Sequence, residues 1–161
     1  MNYLKFSFGI FVVLAASRFV PHPPNFTSLL ALSFYVPVFF GRKYIPSLLL
    51  SFGITDIFLG FHKNMLFVYS SLYLITAISF KFSHKLNFKN LVLYCLFSSI
   101  CFFIFTNFGV WFFGNLYEKN FSGIIECYFM AIPFFKNTLI STIIFSYTAF
   151  TFDYLYKKQV T

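Results

Sequence analysis

Charge is scarce in this chain. Of 161 residues only 10% are charged, with Asp and Glu numbering 4 against 12 Lys and Arg. A soluble domain carries about 25% charged residues. The chain is instead 59% hydrophobic and 25% aromatic, with a mean hydropathy of +0.78. That balance excludes an ordinary soluble domain and predicts an integral membrane protein. Cysteine is also sparse. Cys95, Cys101 and Cys127 form no CxxC pair, and the first two, six apart in an apolar run, face different sides of a helix, so neither a disulfide framework nor a cysteine metal site is expected. HExxH, GxSxG and P-loop patterns are missing, which leaves no recognisable catalytic constellation. The alternation that a membrane β-barrel needs is missing too.

What is present is a series of apolar runs. At about 20 residues per spanning helix, the length fits a single transmembrane domain over 1–161 with about six helices. The expected spans are 3–18, 26–40, 44–61, 65–80, 90–113 and 137–156, with 114–136 as an outer loop carrying an interfacial or re-entrant helix. Lys5 followed by the run 6–16 and Ser17 also has the outline of a signal peptide, but the run serves as a first span and the charge count favours its retention. The expected fold class is therefore all-α, a polytopic integral membrane helical bundle.

The net charge of +8 does not point to nucleic acid, because the basic residues lie in short loops between apolar runs. With a cytoplasmic N-terminus, Lys5, Arg42, Lys43, Lys81, Lys85, Lys89, Lys157 and Lys158 lie inside, and Arg18, Lys63, Lys119 and Lys136 outside. The inside excess places both termini in the cytoplasm of a multi-pass plasma-membrane protein.

The stretch Arg18-Phe19-Val20-Pro21-His22-Pro23-Pro24-Asn25-Phe26-Thr27 is the oddest in the chain. Its prolines remove backbone donors and fix φ, so no helix passes through it. A plain membrane hairpin needs neither Arg18, His22 nor Asn25. Other unusual polar residues gather in the same outer half. Asp56 sits about 18 Å along the third span and Asn107 about 25 Å along the fifth, at 1.5 Å per residue. His62, Trp111, Glu126, Lys136 and Asn137 join them on the outer side. An ionised group inside lipid costs at least about 2.5–3.5 kcal/mol, so Asp56 needs a partner or a wet cavity. Arg18, Lys63 and Lys136 are its candidate partners, and a purely structural ion pair is the competing reading. His22 and His62 lack a metal-ligand spacing, so neither a metal nor a cofactor is expected. Trp111 reads either as an interfacial anchor or as a stacking platform. No span shows a polar stripe along its whole length, which argues against a channel.

The run from Arg18 to Thr27, Asp56, His62 with Val68-Tyr69, Thr106-Asn-Phe-Gly-Val-Trp111, Cys127-Tyr128, Ile132-Pro-Phe-Phe135 and Asn137 together resemble a bacterial family of unknown function described as transport proteins. In plan that family is similar to the substrate-binding S components of energy-coupling factor (ECF) transporters. The resemblance implies an outward-facing pocket in the bacterial inner membrane, with the proline loop as a lid over a vitamin-sized solute. It implies Asn25, Asp56, Asn107, Trp111 and Asn137 as pocket residues, and a transmembrane scaffold subunit with separate ATPase subunits as partners. The first helix departs from the S-component pattern. Ala15, Ala16 and Ser17 are small, but Phe19 breaks the four-residue spacing used for scaffold contact.

The expected function is capture of a small vitamin-like or anionic solute for uptake, without catalysis. Arg18, His22, Asn25, Asp56, His62, Asn107, Trp111 and Asn137 are the expected binding residues, and lipid and solute the expected partners. An accessory membrane subunit, whose polar residues only set packing, and a small membrane enzyme are the alternatives.

Overall fold

The computed structural model describes residues 3–81 and 87–160. These form seven α-helices and no strand: α1 (Tyr3–Phe19), α2 (Leu29–Tyr35), α3 (Ile45–Leu59), α4 (Met65–Lys81), α5 (Leu91–Phe113), α6 (Phe121–Met130) and α7 (Ile132–Val160). Lys85, read above as a cytoplasmic anchor, lies outside the described residues.

The short helix α2 is the centre of the bundle. It packs on α7 and α4 and also touches α1, α3 and α5. Every residue of α2 except Leu32 is buried. Its first turn, Leu29 and Leu30, joins a core with Leu14, Leu48, Phe52, Leu72 and Ile75. Its last turn, Phe34 and Tyr35, joins a second core with Leu91 and Cys95. Around it, α1 packs on α3, α4 on α5, and α5 on α7.

Pro37 does not end this helix. The chain continues as a π-helical turn, Val36–Phe40. Proline has no N–H to give to the carbonyl four residues back. That carbonyl belongs to Ser33, and the Thr76 hydroxyl of α4 donates to it instead, at 3.3 Å. A lost helix bond thus becomes a bond between helices.

The expected boundary at residue 137 lies too late. Helix α7 begins at Ile132, because Pro133 falls in its first turn, where a missing N–H costs nothing. Helices α6 and α7 meet at Ala131 with a 45° bend. The segment 114–136, expected to carry a helix, holds α6.

The interior is unusually rich in hydroxyls. Ser47, Ser51 and Thr55 run down the buried side of α3, Ser71, Thr76 and Ser79 down α4, and Thr138, Ser141, Thr142 and Ser146 down α7. On α3 this stripe covers most of the helix, which the sequence reading did not anticipate. It forms no channel, because Ser47 bonds to Tyr3 (2.7 Å) and Ser7 (2.8 Å) of α1, while Ser51 donates to the Ser47 carbonyl. Meanwhile Leu4, Phe8, Phe58, Leu66, Phe121 and Phe152 are each at least 65% exposed. Small polar side chains therefore share the interior with the two apolar cores, while many large apolar side chains lie outside.

By length and composition, α5 is long and apolar enough to cross a membrane, and the bent pair α6–α7 passes the same test if taken as one span. Only 28% of the most apolar window of α5 is buried, unlike the core helix of a soluble protein.

Candidate functional site: a roofed polar cavity

The site starts from Arg18, in the last turn of α1. Its guanidinium reaches α3, where Nη2 donates to Asp56 Oδ1 at 2.7 Å. Nη1 donates to the Phe52 carbonyl at 3.3 Å and to the Thr55 hydroxyl. The guanidinium carbon lies 4.4 Å from the centroid of the Phe52 ring. The second oxygen of Asp56 accepts from the Tyr69 hydroxyl of α4 at 3.0 Å. Side-chain exposure is 14% for Arg18 and 3% for Asp56. Of the three candidate partners for Asp56, Arg18 is the one it meets; Lys63 and Lys136 are exposed. Gly60 ends α3 with φ +96°, its N–H bonded to the Asp56 carbonyl at 2.8 Å, and so turns the chain beside this pair.

The proline stretch, residues 20–28, forms a compact loop above it. Phe26 N–H donates to the Pro23 carbonyl at 3.0 Å, closing a turn with Pro24 and Asn25 at its centre. Asn25 has φ +63°, matching a type II turn, which wants proline followed by a residue that tolerates the left-handed region. His22 sits between two carbonyls, its Nδ1 2.7 Å from Pro23 O and its Nε2 3.4 Å from Arg18 O. Two contacts hold the loop down. Ser17 accepts from the Ser28 backbone N–H at 3.1 Å, and Asn137 Nδ2 of α7 donates to the Pro24 carbonyl at 3.1 Å. The turn makes a direct prediction. Asn25→Gly leaves stability unchanged within error, whereas Asn25→Val costs about 1–2 kcal/mol, since a branched side chain resists φ > 0. Thermal melts of both variants in detergent check this.

Beneath the loop lies a cavity of about 630 Å³. Arg18, His22, Asn25, His62 and Asn107 line it. The other three expected site residues do not. Asp56 stands behind Arg18 and neutralises it. Asn137 latches the loop. Trp111 donates from Nε1 to the Glu118 carbonyl at 2.9 Å, and Lys119 lies 5.5 Å from the centroid of its ring. Lys119 also donates to the carbonyls of Phe112 (3.2 Å), Gly114 and Trp111 at the end of α5. Trp111 therefore anchors the loop at 114–120 instead of offering a stacking face to the cavity.

Several lining residues were not expected from the sequence. Thr27, Asn64, Thr106, Tyr117, Thr138, Ser141 and Thr142 also face the cavity. Partial burial raises the Tyr117 phenol above its usual range, with Cys127 and Glu126 adding to the effect, so it stays a neutral O–H. Asn64 crosses from the α3–α4 turn to α5, donating to the Thr106 carbonyl at 2.9 Å. The clearest signal for the rest was available in the sequence: Thr138, Ser141 and Thr142 follow i, i+3, i+4 spacing, which marks one face of an otherwise apolar helix. No cluster of His, Cys, Asp and Glu able to hold a metal occurs among the described residues.

These features define a class: an all-helical chain with many exposed apolar side chains, buried hydroxyls and a loop-roofed cavity at one end, lined by apolar side chains such as Phe52, Phe102 and Phe134 as well as by polar ones. The chain belongs to the family of unknown function DUF6580, whose model matches residues 2–161. No curated protein and no solved structure matches it.

Proposed function

We propose that this chain is a multi-pass membrane protein that captures a small solute from the outer side of a bacterial inner membrane, as a step in uptake. The observation that carries the reading is the roofed cavity. Its 630 Å³ lies within the range of about 300–1,000 Å³ typical of small-molecule sites. Its roof is a segment pinned mainly by two exchangeable contacts, Ser17–Ser28 and Asn137–Pro24, as expected of a lid.

Multi-pass insertion is supported by the exposed large apolar side chains and the buried hydroxyls between helices, since lipid supplies no hydrophobic drive between helices and small or hydroxyl-bearing side chains mediate their contact. Orientation is supported by the charge distribution. Tyr3 of α1 bonds to the Lys43 carbonyl, and Tyr147 of α7 to the Phe88 carbonyl, so Lys5, Arg42, Lys43 and Lys89 gather at the end away from the cavity. By the positive-inside rule that end is cytoplasmic and the cavity opens outward. An S-component-like role, with a scaffold and separate ATPases as partners, fits this arrangement. A second reading draws on the Arg18–Asp56 pair, which faces a helix contact and suits an accessory subunit whose polar groups set packing.

The two readings differ in a thermal-shift screen of the detergent-purified chain against vitamins, cofactor precursors and small anions. A ligand present at a hundredfold excess over its Kd stabilises by about 2.7 kcal/mol. At least one compound is expected to raise Tm by several degrees and to lose its effect in Asn107→Leu. A flat screen, with co-purification of another membrane chain, sinks solute capture and favours the accessory subunit.

A further inference from the structure

The cavity has a polarity of its own. Along α5 and α7, the hydroxyl donors are already spent, and so is one of the two Asn107 N–H groups. Thr106 Oγ1 donates to the Phe102 carbonyl at 2.7 Å, and Asn107 Nδ2 to the Phe103 carbonyl at 2.8 Å. Thr138 Oγ1 donates to Phe134 O at 2.9 Å, Ser141 Oγ to Thr138 O at 2.9 Å, and Thr142 Oγ1 to Thr138 O at 2.7 Å. Each hydroxyl has a single hydrogen, and each of these hydrogens points into its own helix. What the five side chains present to the cavity is therefore mainly oxygen lone pairs. The second N–H of Asn107 is the one donor these five side chains keep.

No Asp or Glu lines the cavity, and its one permanent charge, on Arg18, is matched by Asp56 at 2.7 Å. Lys63 and Lys136, which in the sequence suggested an anionic solute, do not line it. A carboxylate pressed against the α5–α7 wall would meet four hydroxyl oxygens and an amide with a single N–H left to give, and a buried acceptor without a donor is unfavourable. A group bearing N–H or O–H would satisfy that wall.

We infer that the cavity selects a solute by its hydrogen-bond donors: an uncharged or ammonium-bearing molecule whose amide, amine or hydroxyl hydrogens meet Thr106, Asn107, Thr138, Ser141 and Thr142, and not a carboxylate or other anion. This rests on the solute-capture reading and narrows its substrate class. Of the vitamin-like and anionic solutes that the sequence left open, it sets the anion aside. Arg18 then serves mainly as the inner post of the lid hinge, holding α1 to α3.

The test uses the full chain in detergent micelles and three probe sets of matched size, read by thermal shift and then by calorimetry. One set holds primary carboxamides, amines and polyols, with nicotinamide as a member. The second holds their N- or O-methylated counterparts, such as N,N-dimethylnicotinamide. The third holds the corresponding carboxylates, such as nicotinate. Binding is expected in the first set and lost in the other two. Thr142→Val keeps the shape and removes one acceptor, so it weakens a first-set ligand roughly tenfold, while Thr142→Ser restores it. Hits confined to carboxylates, or hits indifferent to methylation and to Thr142→Val, overturn the donor inference while leaving solute capture standing. An absence of hits in all three sets overturns both.

Discussion

Asp56→Ala is expected to be one of the two most damaging single substitutions in the chain, costing about 3–5 kcal/mol, the usual penalty for leaving one member of a buried ion pair alone. At roughly 2–4 °C per kcal/mol for a chain of this size, Tm falls by about 6–20 °C. The reason is local. Removing the carboxylate strands a guanidinium of 14% exposure and leaves the Tyr69 hydroxyl without its acceptor. Arg18→Ala strands Asp56, which is only 3% exposed, and is expected to be at least as severe. Asp56→Asn preserves the shape and one acceptor oxygen and sits between wild type and alanine. The double variant Arg18→Met/Asp56→Leu recovers most of the loss, since a well-packed apolar pair often equals or exceeds a buried ionic one. Glu126→Ala, at an exposed position on α6, serves as the control and stays within about 0.5 kcal/mol of wild type. If both single variants melt with the wild type, the pair is not buried in the way described. The same set separates fold from binding: Asp56 does not line the cavity, so its effect on a ligand passes entirely through Arg18.

Gly109→Val is the second large effect. A Cβ on Gly109 would lie 1.9 Å from Asn64 Oδ1, 2.4 Å from Phe67 Cδ2 and 2.7 Å from Phe67 Cγ. No rotamer of the new residue avoids this, because the clash begins at Cβ itself. Either α4 and α5 separate or Asn64 and Phe67 leave their places. Overpacking of this kind costs about 1–3 kcal/mol. Displacing Asn64 adds the loss of its bond to the Thr106 carbonyl, worth about 1 kcal/mol more. Gly109→Ala already meets the clash and is expected to show most of the effect. Gly9→Ala is the matched control: nothing lies within 4 Å of its added Cβ, and alanine in an exposed helical position is expected to raise stability by about 0.5–1 kcal/mol. Melting curves and yields of monodisperse protein measure both. A Gly109→Ala variant as stable as wild type would mean that α4 and α5 pack less closely than described.

Much of the fold was legible because its signals are strong and local. Apolar runs punctuated by Gly41-Arg42-Lys43 and His62-Lys63-Asn64 placed the ends of α2, α3 and α4 within a few residues. The proline stretch was legible as a non-helical loop for a steric reason that needs no tertiary context. The misplaced start of α7 has an equally simple origin. Pro133 reads as a helix breaker unless it falls in a first turn, and only the 45° break at Ala131 reveals that it does. The candidate site was legible in part. Arg18, His22, Asn25, His62 and Asn107 were visible as polar residues where polarity is rare. Asp56 and Asn137 were visible for the same reason, but their work is to hold a neighbour in place. Direction of a side chain is not written in a chain's polarity. Thr138, Ser141 and Thr142 escaped notice because isolated hydroxyls are common in membrane helices and become informative only when three share a face.

The central position of α2 has a consequence for how the chain is made. Helix α1 spends most of its contacts on α3, and α2 packs about equally on α7 and α4. The second apolar segment to emerge from a ribosome has part of its Phe34 and Tyr35 surface covered by Leu91, Tyr94 and Cys95 of α5, and the rest only when α7 follows. A chain interrupted before residue 132 lacks Ile143, Tyr147 and Phe150, which pack against the second core. The part of the α2 surface that they cover is then left open, and exposed apolar surface of that kind is what makes incomplete chains prone to aggregate.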